Sequence, residues 1–261
     1  MKELELLAEL ERRGLIVGVE HDAAQIEGLV VTQDALVEGV HFRFDLLDWR
    51  ELGYRAAAVN ISDLAASGAE PLALIVSLAA PQLDGAIELY EGIAEAGVPV
   101  RGGDTTAASQ VVLSVTALGR SDRVPGRAGA RPGDHVVVTG PLGATAAGFR
   151  AGRLPRPPRR VEEGKRLARV ATAMLDVSDG LGVDAAHIAR RSGVRIALDL
   201  DAVPLAPGAT RDDLSFGEDY ELLATTPDPL DFTVIGRVEE GSGVVPQEAE
   251  LLGGWEHFAE P

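Results

Sequence analysis

The chain has no cysteine, and among its 261 residues only Lys2 and Lys165 are lysines. Without thiols, disulfides, zinc–thiolate sites and cysteine nucleophiles are all excluded. The shortage of lysine closes two routes to nucleotide chemistry. A Walker loop needs Gly-Lys followed by Ser or Thr, and the sole Gly-Lys, Gly164-Lys165, is followed by Arg166. A protein-kinase strand lysine has no candidate either. No Gly-x-Gly-x-x-Gly follows a strand, which disfavours a dinucleotide fold, and no Gly-x-Ser-x-Gly elbow supports a serine nucleophile.

Other shortages narrow the field further. Aromatic residues make up only 4% of the chain, which disfavours sugar chemistry, although any two carboxylates could in principle meet as a glycosidase pair. No apolar run approaches the roughly 20 residues that cross a bilayer. Residues 3–13 read as an acidic amphipathic helix with no apolar signal core, so a cytoplasmic location is expected. Positive charge is scarce as well. The net charge of -17 opposes binding to a nucleic-acid backbone. Nucleotides remain open, because metal ions and one or two arginines can meet their charge locally.

What the chain has instead is aspartate beside apolar runs, at Asp22, Asp34, Asp63, Asp104, Asp176 and Asp179. Hard cations such as Mg2+ take oxygen ligands and reach proteins through a few carboxylates plus substrate phosphates. Asp104 follows Gly102-Gly103 after a short strand at 98–101, and Thr105-Thr106 follow it. It could hold a metal against a phosphate or cap a turn or helix. In Asp176-Val177-Ser178-Asp179-Gly180 a turn at Ser178 would bring the two carboxylates together, which is costly without a cation between them. The alternative is that Ser178 or Asp179 caps the helix starting at Leu181. Asp63 lies in an Ala-rich helical stretch, where a charge must be solvated or paired. His41 and the turn at Gly217-Glu218-Asp219 are weaker candidates, readable as surface filler and as an acidic cap.

Strands are expected at 28–32 (ending just before Asp34), 72–79, 98–101, 111–119 and 135–139, with helices at 48–68, 84–97 and 161–172. Residues 220–225 and 233–238 look like a closing strand pair. The Gly/Pro-rich stretch 120–134 divides two lobes, 1–125 and 126–261, and the alternation of elements points to α/β or α+β layers. Ile61-Ser62-Asp63 and Val177-Ser178-Asp179 form a faint echo between halves.

Five segments then occur in order: Val31–Phe42, Ala58–Ala66, Gly102–Thr106, Leu175–Leu181 and Gly217–Leu222. Together they resemble the thiamine-monophosphate kinase family, part of the aminoimidazole-ribonucleotide synthetase-related superfamily, over nearly the whole chain to Trp255-Glu256-His257-Phe258. The resemblance implies a two-lobed fold, a homodimer pairing its N-terminal sheets, and a C-terminal α+β lobe. It implies transfer of the ATP γ-phosphate to thiamine monophosphate. By position, Asp22, Thr32, Gln33, Asp34, Asp63, Asp104, Asp176 and Asp179 would surround several Mg2+ ions. Tyr90, Gly103, Asp104, Arg127 and Ser178 would contact ATP. His41, Glu218 and Trp255 would line the thiamine phosphate pocket. The chain departs from the family at Glu20-His21, where Gly-Asp is usual, and at Gln33, where Thr or Ser is usual. It is also shorter around residues 151–165.

Overall fold

The structure, a computed structural model, describes residues 3–16, 21–246 and 254. After a first helix, α1 (Glu3–Arg12), comes a hairpin of β1 (Ala24–Ile26) and β2 (Leu29–Val37). Its two-residue loop has positive φ at Glu27 (48°) and Gly28 (82°), the twist that suits a tight antiparallel connection. Helix α2 (Trp49–Ala66), β3 (Glu70–Ala80), α3 (Ala86–Glu95), β4 (Val100–Ala107) and β5 (Val112–Arg120) complete the N-terminal lobe. The five strands form one sheet in the order β1-β2-β5-β3-β4, with β3 and β4 parallel.

One face of this sheet packs under α2 and α3. Leu74, Val76, Leu113 and Val115 alternate inward along their strands and meet Leu52, Ile61 and Leu64 of α2, the period-2 and period-3.6 patterns of a shared core. The small side chains Ala56, Ala57 and Ala65 let α2 sit close to its neighbours. The opposite face of the sheet stays exposed at Gln33, Ala35, Ile75 and Ser77.

The irregular stretch 121–134 leads to a second sheet. It holds β6 (His135–Val138), β7 (Ala173–Asp176), β8 (Arg195–Leu198), β9 (Leu222–Thr226), β10 (Thr233–Glu239) and β11 (Gly243–Val245), in the order β11-β8-β10-β6-β9-β7. Helices α4 (Ala144–Arg150), α5 (Val161–Ala168) and α6 (Leu181–Ser192) and a 3-10 turn at Arg211–Ser215 accompany it. The lobes share a seam in which Ala65 and Ala66 of α2 pack with Leu167, Met174, Leu222 and Ala224. The α/β fold class read from the sequence therefore holds.

Four local expectations change. Strand β2 continues through Asp34 to Val37, because β5 pairs with it all the way to Val112. Strand β4 likewise runs through Asp104, held in parallel register with Ser77, so Asp104 caps neither a helix nor a turn. The segments at 220–225 and 233–238 do not pair with each other, because β6 lies between β9 and β10. The echoing tripeptides are not a structural repeat, since 61–63 is helix and 177–179 is turn.

Candidate active site

Four carboxylates from four separate segments converge where the lobes meet. Asp34 comes from β2, Asp63 from the last turn of α2, Asp176 from the end of β7, and Asp22 from the chain just before β1. The carboxyl groups of Asp34 and Asp63 act directly on each other. Thr32, two residues along the same strand face, donates its hydroxyl to Asp63 at 2.5 Å. Asn60, one helical turn before Asp63, accepts from the Asp34 backbone N–H at 3.1 Å. Ser62 donates to Asp176 at 2.5 Å across the lobe boundary.

The cluster is electrostatically crowded. Asp63 is pushed well above the usual carboxylate range, first by burial and then by the negative fields of Asp34, Asp176 and Asp22. Asp176 is pushed up to about 7 by burial, with Asp22 and Asp34 adding to it and the Ser62 hydroxyl opposing. Burial also raises Asp22 and Asp34. Among the described residues, Arg127 is the one arginine seen bonded to these four, holding Asp22 through Nε at 2.8 Å and Nη2 at 2.5 Å. One guanidinium against four carboxylates, Asp176 buried and the others half-buried, leaves a deficit of positive charge. Oxygen-only donors in that state suit a hard divalent cation.

The turn after β7 adds Ser178 and Asp179. The N-cap position of α6 is Gly180. Asp184, one turn into α6, accepts the backbone N–H groups of Asp179 at 3.0 Å and Gly180 at 3.1 Å. Asp179, Asp184 and His187 also bring ligand atoms within 4.8 Å of one another.

The loop 217–221 lies on top of that turn. Gly217 has φ of 80°, and a Cβ there would stand 2.3 Å from the Ser178 carbonyl oxygen, so only glycine permits the approach. Glu218 and Tyr220 follow with φ of 57° and 55°, left-handed conformations that cost energy for side chains of this kind. Their backbone N–H groups are anchored to Ser178 O at 2.8 Å and Val177 O at 2.9 Å. Asp219 secures the same loop by accepting from Gly143 N at 2.7 Å. The strain serves to present Glu218, which pairs at 2.9 Å with Arg55, a buried side chain of α2.

These residues border a cleft of about 910 Å³ between the lobes. Asp34, Asp63, Asp176 and Asp179 line one part of it, and His41, Phe42, Phe149, Phe216 and Glu218 another. His41 is held in its turn by accepting the Val37 N–H on Nδ1 at 3.0 Å.

Not every sequence candidate gathers here. Gln33 borders the cleft but turns its side chain to the opposite sheet face from Thr32 and Asp34, donating to Ser114 at 3.0 Å. Gly103 and Asp104 sit on β4, three strand positions from β2, roughly 14 Å at the usual strand spacing. Tyr90 is on α3 with its ring against the N-terminal core. Trp255 and Glu20 lie outside the described residues. Conversely, Arg55, Asn60, Ser62 and Asp184 join the site with little signal in the sequence. Ser62 and Asn60 lie inside the segment Ala58–Ala66, but nothing in an Ala-rich helix marks Arg55 as buried and not solvated.

The AIR synthase related protein N-terminal domain matches residues 20–121. A thiamine-monophosphate kinase of Pyrococcus horikoshii is 35% identical, with 88% of this chain and 86% of that one covered. One from Mycobacterium tuberculosis is 36% identical over 95% and 87% of the two chains. The chain belongs to the thiamine-monophosphate kinase family. The solved structure of AaThiL complexed with AMPPCP and TMP superimposes with a TM-score of 0.89 at 32% identity, covering 98% of this chain and 97% of that chain. Family membership fits the crowded carboxylates at the lobe boundary.

Proposed function

We propose that this chain transfers the γ-phosphate of ATP directly to the phosphate of thiamine monophosphate, giving thiamine diphosphate and ADP. The observation that carries the reading is the convergence of Asp22, Asp34, Asp63 and Asp176 beside a cleft of about 910 Å³. Donor and acceptor are both anions, so the task is alignment and charge neutralisation rather than covalent help.

Several Mg2+ ions would be held by these four aspartates, with Thr32, Asp179 and the Gln33 backbone as further oxygen donors. Once bound, such ions offset the repulsion between the two phosphates and favour in-line displacement. The remaining work falls to the chain's own side chains. Thr32 and Ser62 aim the carboxylates of Asp63 and Asp176. Arg127 fixes Asp22, and with Ser178 it faces the donor. Glu218 and His41 sit on the acceptor side, with Trp255 proposed to stack on the acceptor's rings. No general base is required, because the acceptor phosphate is already ionised near neutral pH.

The position of Gly103 and Asp104 on β4 favours a homodimer. The exposed sheet face and the exposed strand β4 would meet a second copy, and Asp104 would then serve the partner's site. Among the described residues no helix is long and apolar enough to cross a membrane. The reading is tested by incubating the protein with ATP, excess Mg2+ and thiamine monophosphate and separating the products. Equal amounts of thiamine diphosphate and ADP are expected. ADP without thiamine diphosphate would assign another acceptor, and no ADP at all would end the kinase reading.

A further inference from the structure

Phe149 and Phe216 are the unexplained feature of the cleft. The chain has only six phenylalanines, and these two are left 44% and 40% exposed. Their rings stand 5.7 Å apart, inclined at 42°. Both line the cleft. Phe149 projects from the last turn of α4, and Phe216 ends the 3-10 turn at Arg211–Ser215, two residues before Glu218. Phe216 donates its backbone N–H to Asp213 O at 3.1 Å, and Glu218, two residues on, donates to Ser178 O at 2.8 Å, so both ends of this short segment are anchored.

Nothing in the folding of the lobe requires two large apolar rings in water. Both lie outside the residues forming the C-terminal core. The cleft carries aspartates together with Arg43 and Arg55, the latter paired with Glu218, so the rings themselves supply the preference for a cation. An exposed aromatic pair attracts a flat ligand that is itself cationic, through the negative faces of the rings.

We infer that Phe149 and Phe216 form the seat for the positively charged ring of the phosphate acceptor and set its specificity, while the aspartates take its phosphate. This rests on the proposed function, since thiamine monophosphate supplies both a fixed ring cation and a phosphate. The two residues are binding determinants and take no part in the transfer itself. They explain how the site would refuse a small phosphomonoester that the metal-binding aspartates alone could accept.

The test is calorimetric binding of thiamine monophosphate, without turnover, to the full chain and to Phe149→Leu, Phe216→Leu and the double variant. Leucine keeps apolar bulk and removes the ring face. The expected result is a Kd for thiamine monophosphate weakened about tenfold or more in the double variant, the size of a desolvated cation–ring contact. Binding of a non-hydrolysable ATP analogue and the thermal midpoint should stay at wild-type values. Thiochrome monophosphate, a flat uncharged analogue, should lose much less than the cationic ligand. Unchanged thiamine monophosphate binding in the double variant would overturn the inference while leaving the proposed function standing. Equal losses for the charged and uncharged ligands would overturn the charge-based selection. A wild-type chain that bound no thiamine monophosphate would instead remove the parent reading, so the two failures are distinguishable.

Discussion

Ser62, near the end of the long N-terminal helix, donates its hydroxyl at 2.5 Å to Asp176 on the edge strand of the other lobe. The bond joins the two lobes at the point where the carboxylates crowd. It also favours the ionised form of Asp176, against the burial that pushes that group up to about 7. Ser62→Ala should therefore move the acidic limb of the kcat/KM pH profile to higher pH. Activity at pH 7 should fall by about tenfold, the scale of one hydrogen bond to a charged group. A profile superimposable on wild type would show that Asp176 does not depend on Ser62.

Asp176 also predicts how pH and Mg2+ act together. Its folded-state pKa, about 7, lies above that of an unfolded aspartate, near 3.9. The folded state therefore binds more protons through this window, and the contribution of Asp176 to stability falls as pH rises from about 4 to about 7. Asp63 shifts in the same direction for the same reason, burial first and neighbouring carboxylates second. Bound Mg2+ would reverse the penalty, because it favours the ionised groups. The rise in melting temperature on adding Mg2+ should be larger at pH 8 than at pH 5, as read by calorimetry. An equal rise at both pH values would separate the cation from these carboxylates.

Much of this site was legible in the sequence because its chemistry is written in residue types. Asp22, Asp34, Asp63, Asp176 and Asp179 could be chosen because aspartate beside buried apolar runs has few structural uses. The partition into strands and helices followed from period-2 and period-3.6 patterns, as in β5 and α3. Distance was not legible. Nothing in Gly102-Gly103-Asp104 says that β4 lies at the far edge of the sheet, because strand order depends on long-range pairing. The burial of Arg55 was hidden for a similar reason: its partner Glu218 is 163 residues away in sequence, on a loop whose left-handed backbone no local pattern announces. The extension of β2 past Asp34 came from pairing with β5, which overrides the low strand preference of aspartate.

The Arg55–Glu218 pair has a stability consequence. Arg55 has a side chain only 3% exposed, whereas Glu218 is 30% exposed. Glu218→Ala would leave a buried guanidinium with reduced compensation. The expected loss is about 1–3 kcal/mol, less than for a fully enclosed pair because Glu218 is partly screened. The Kd for thiamine monophosphate should also rise. Arg55→Met together with Glu218→Ala should recover part of the stability without restoring acceptor binding. Chemical denaturation and calorimetry read the two effects separately.

The location of Asp104 allows a complementation test. If the homodimer draws Asp104 from the partner, neither Asp63→Asn nor Asp104→Asn alone should retain more than about 1% of turnover, the loss expected when a metal ligand is removed. Unfolding and reassociating equal amounts of the two should restore roughly a quarter of wild-type activity, since half the dimers are mixed and each carries one intact site. No recovery, with mixed dimers demonstrated, would place Asp63 and Asp104 in the same subunit's site or remove one of them from it.

The most direct measurement follows the radiolabel from [γ-32P]ATP into product in the presence of thiamine monophosphate and Mg2+, for the wild-type chain and for Asp63→Asn. Label in the terminal phosphate of thiamine diphosphate, rising with Mg2+ and lost in Asp63→Asn while the variant stays folded, is the predicted result. Label released only as inorganic phosphate, or transfer undiminished in Asp63→Asn, would contradict the account.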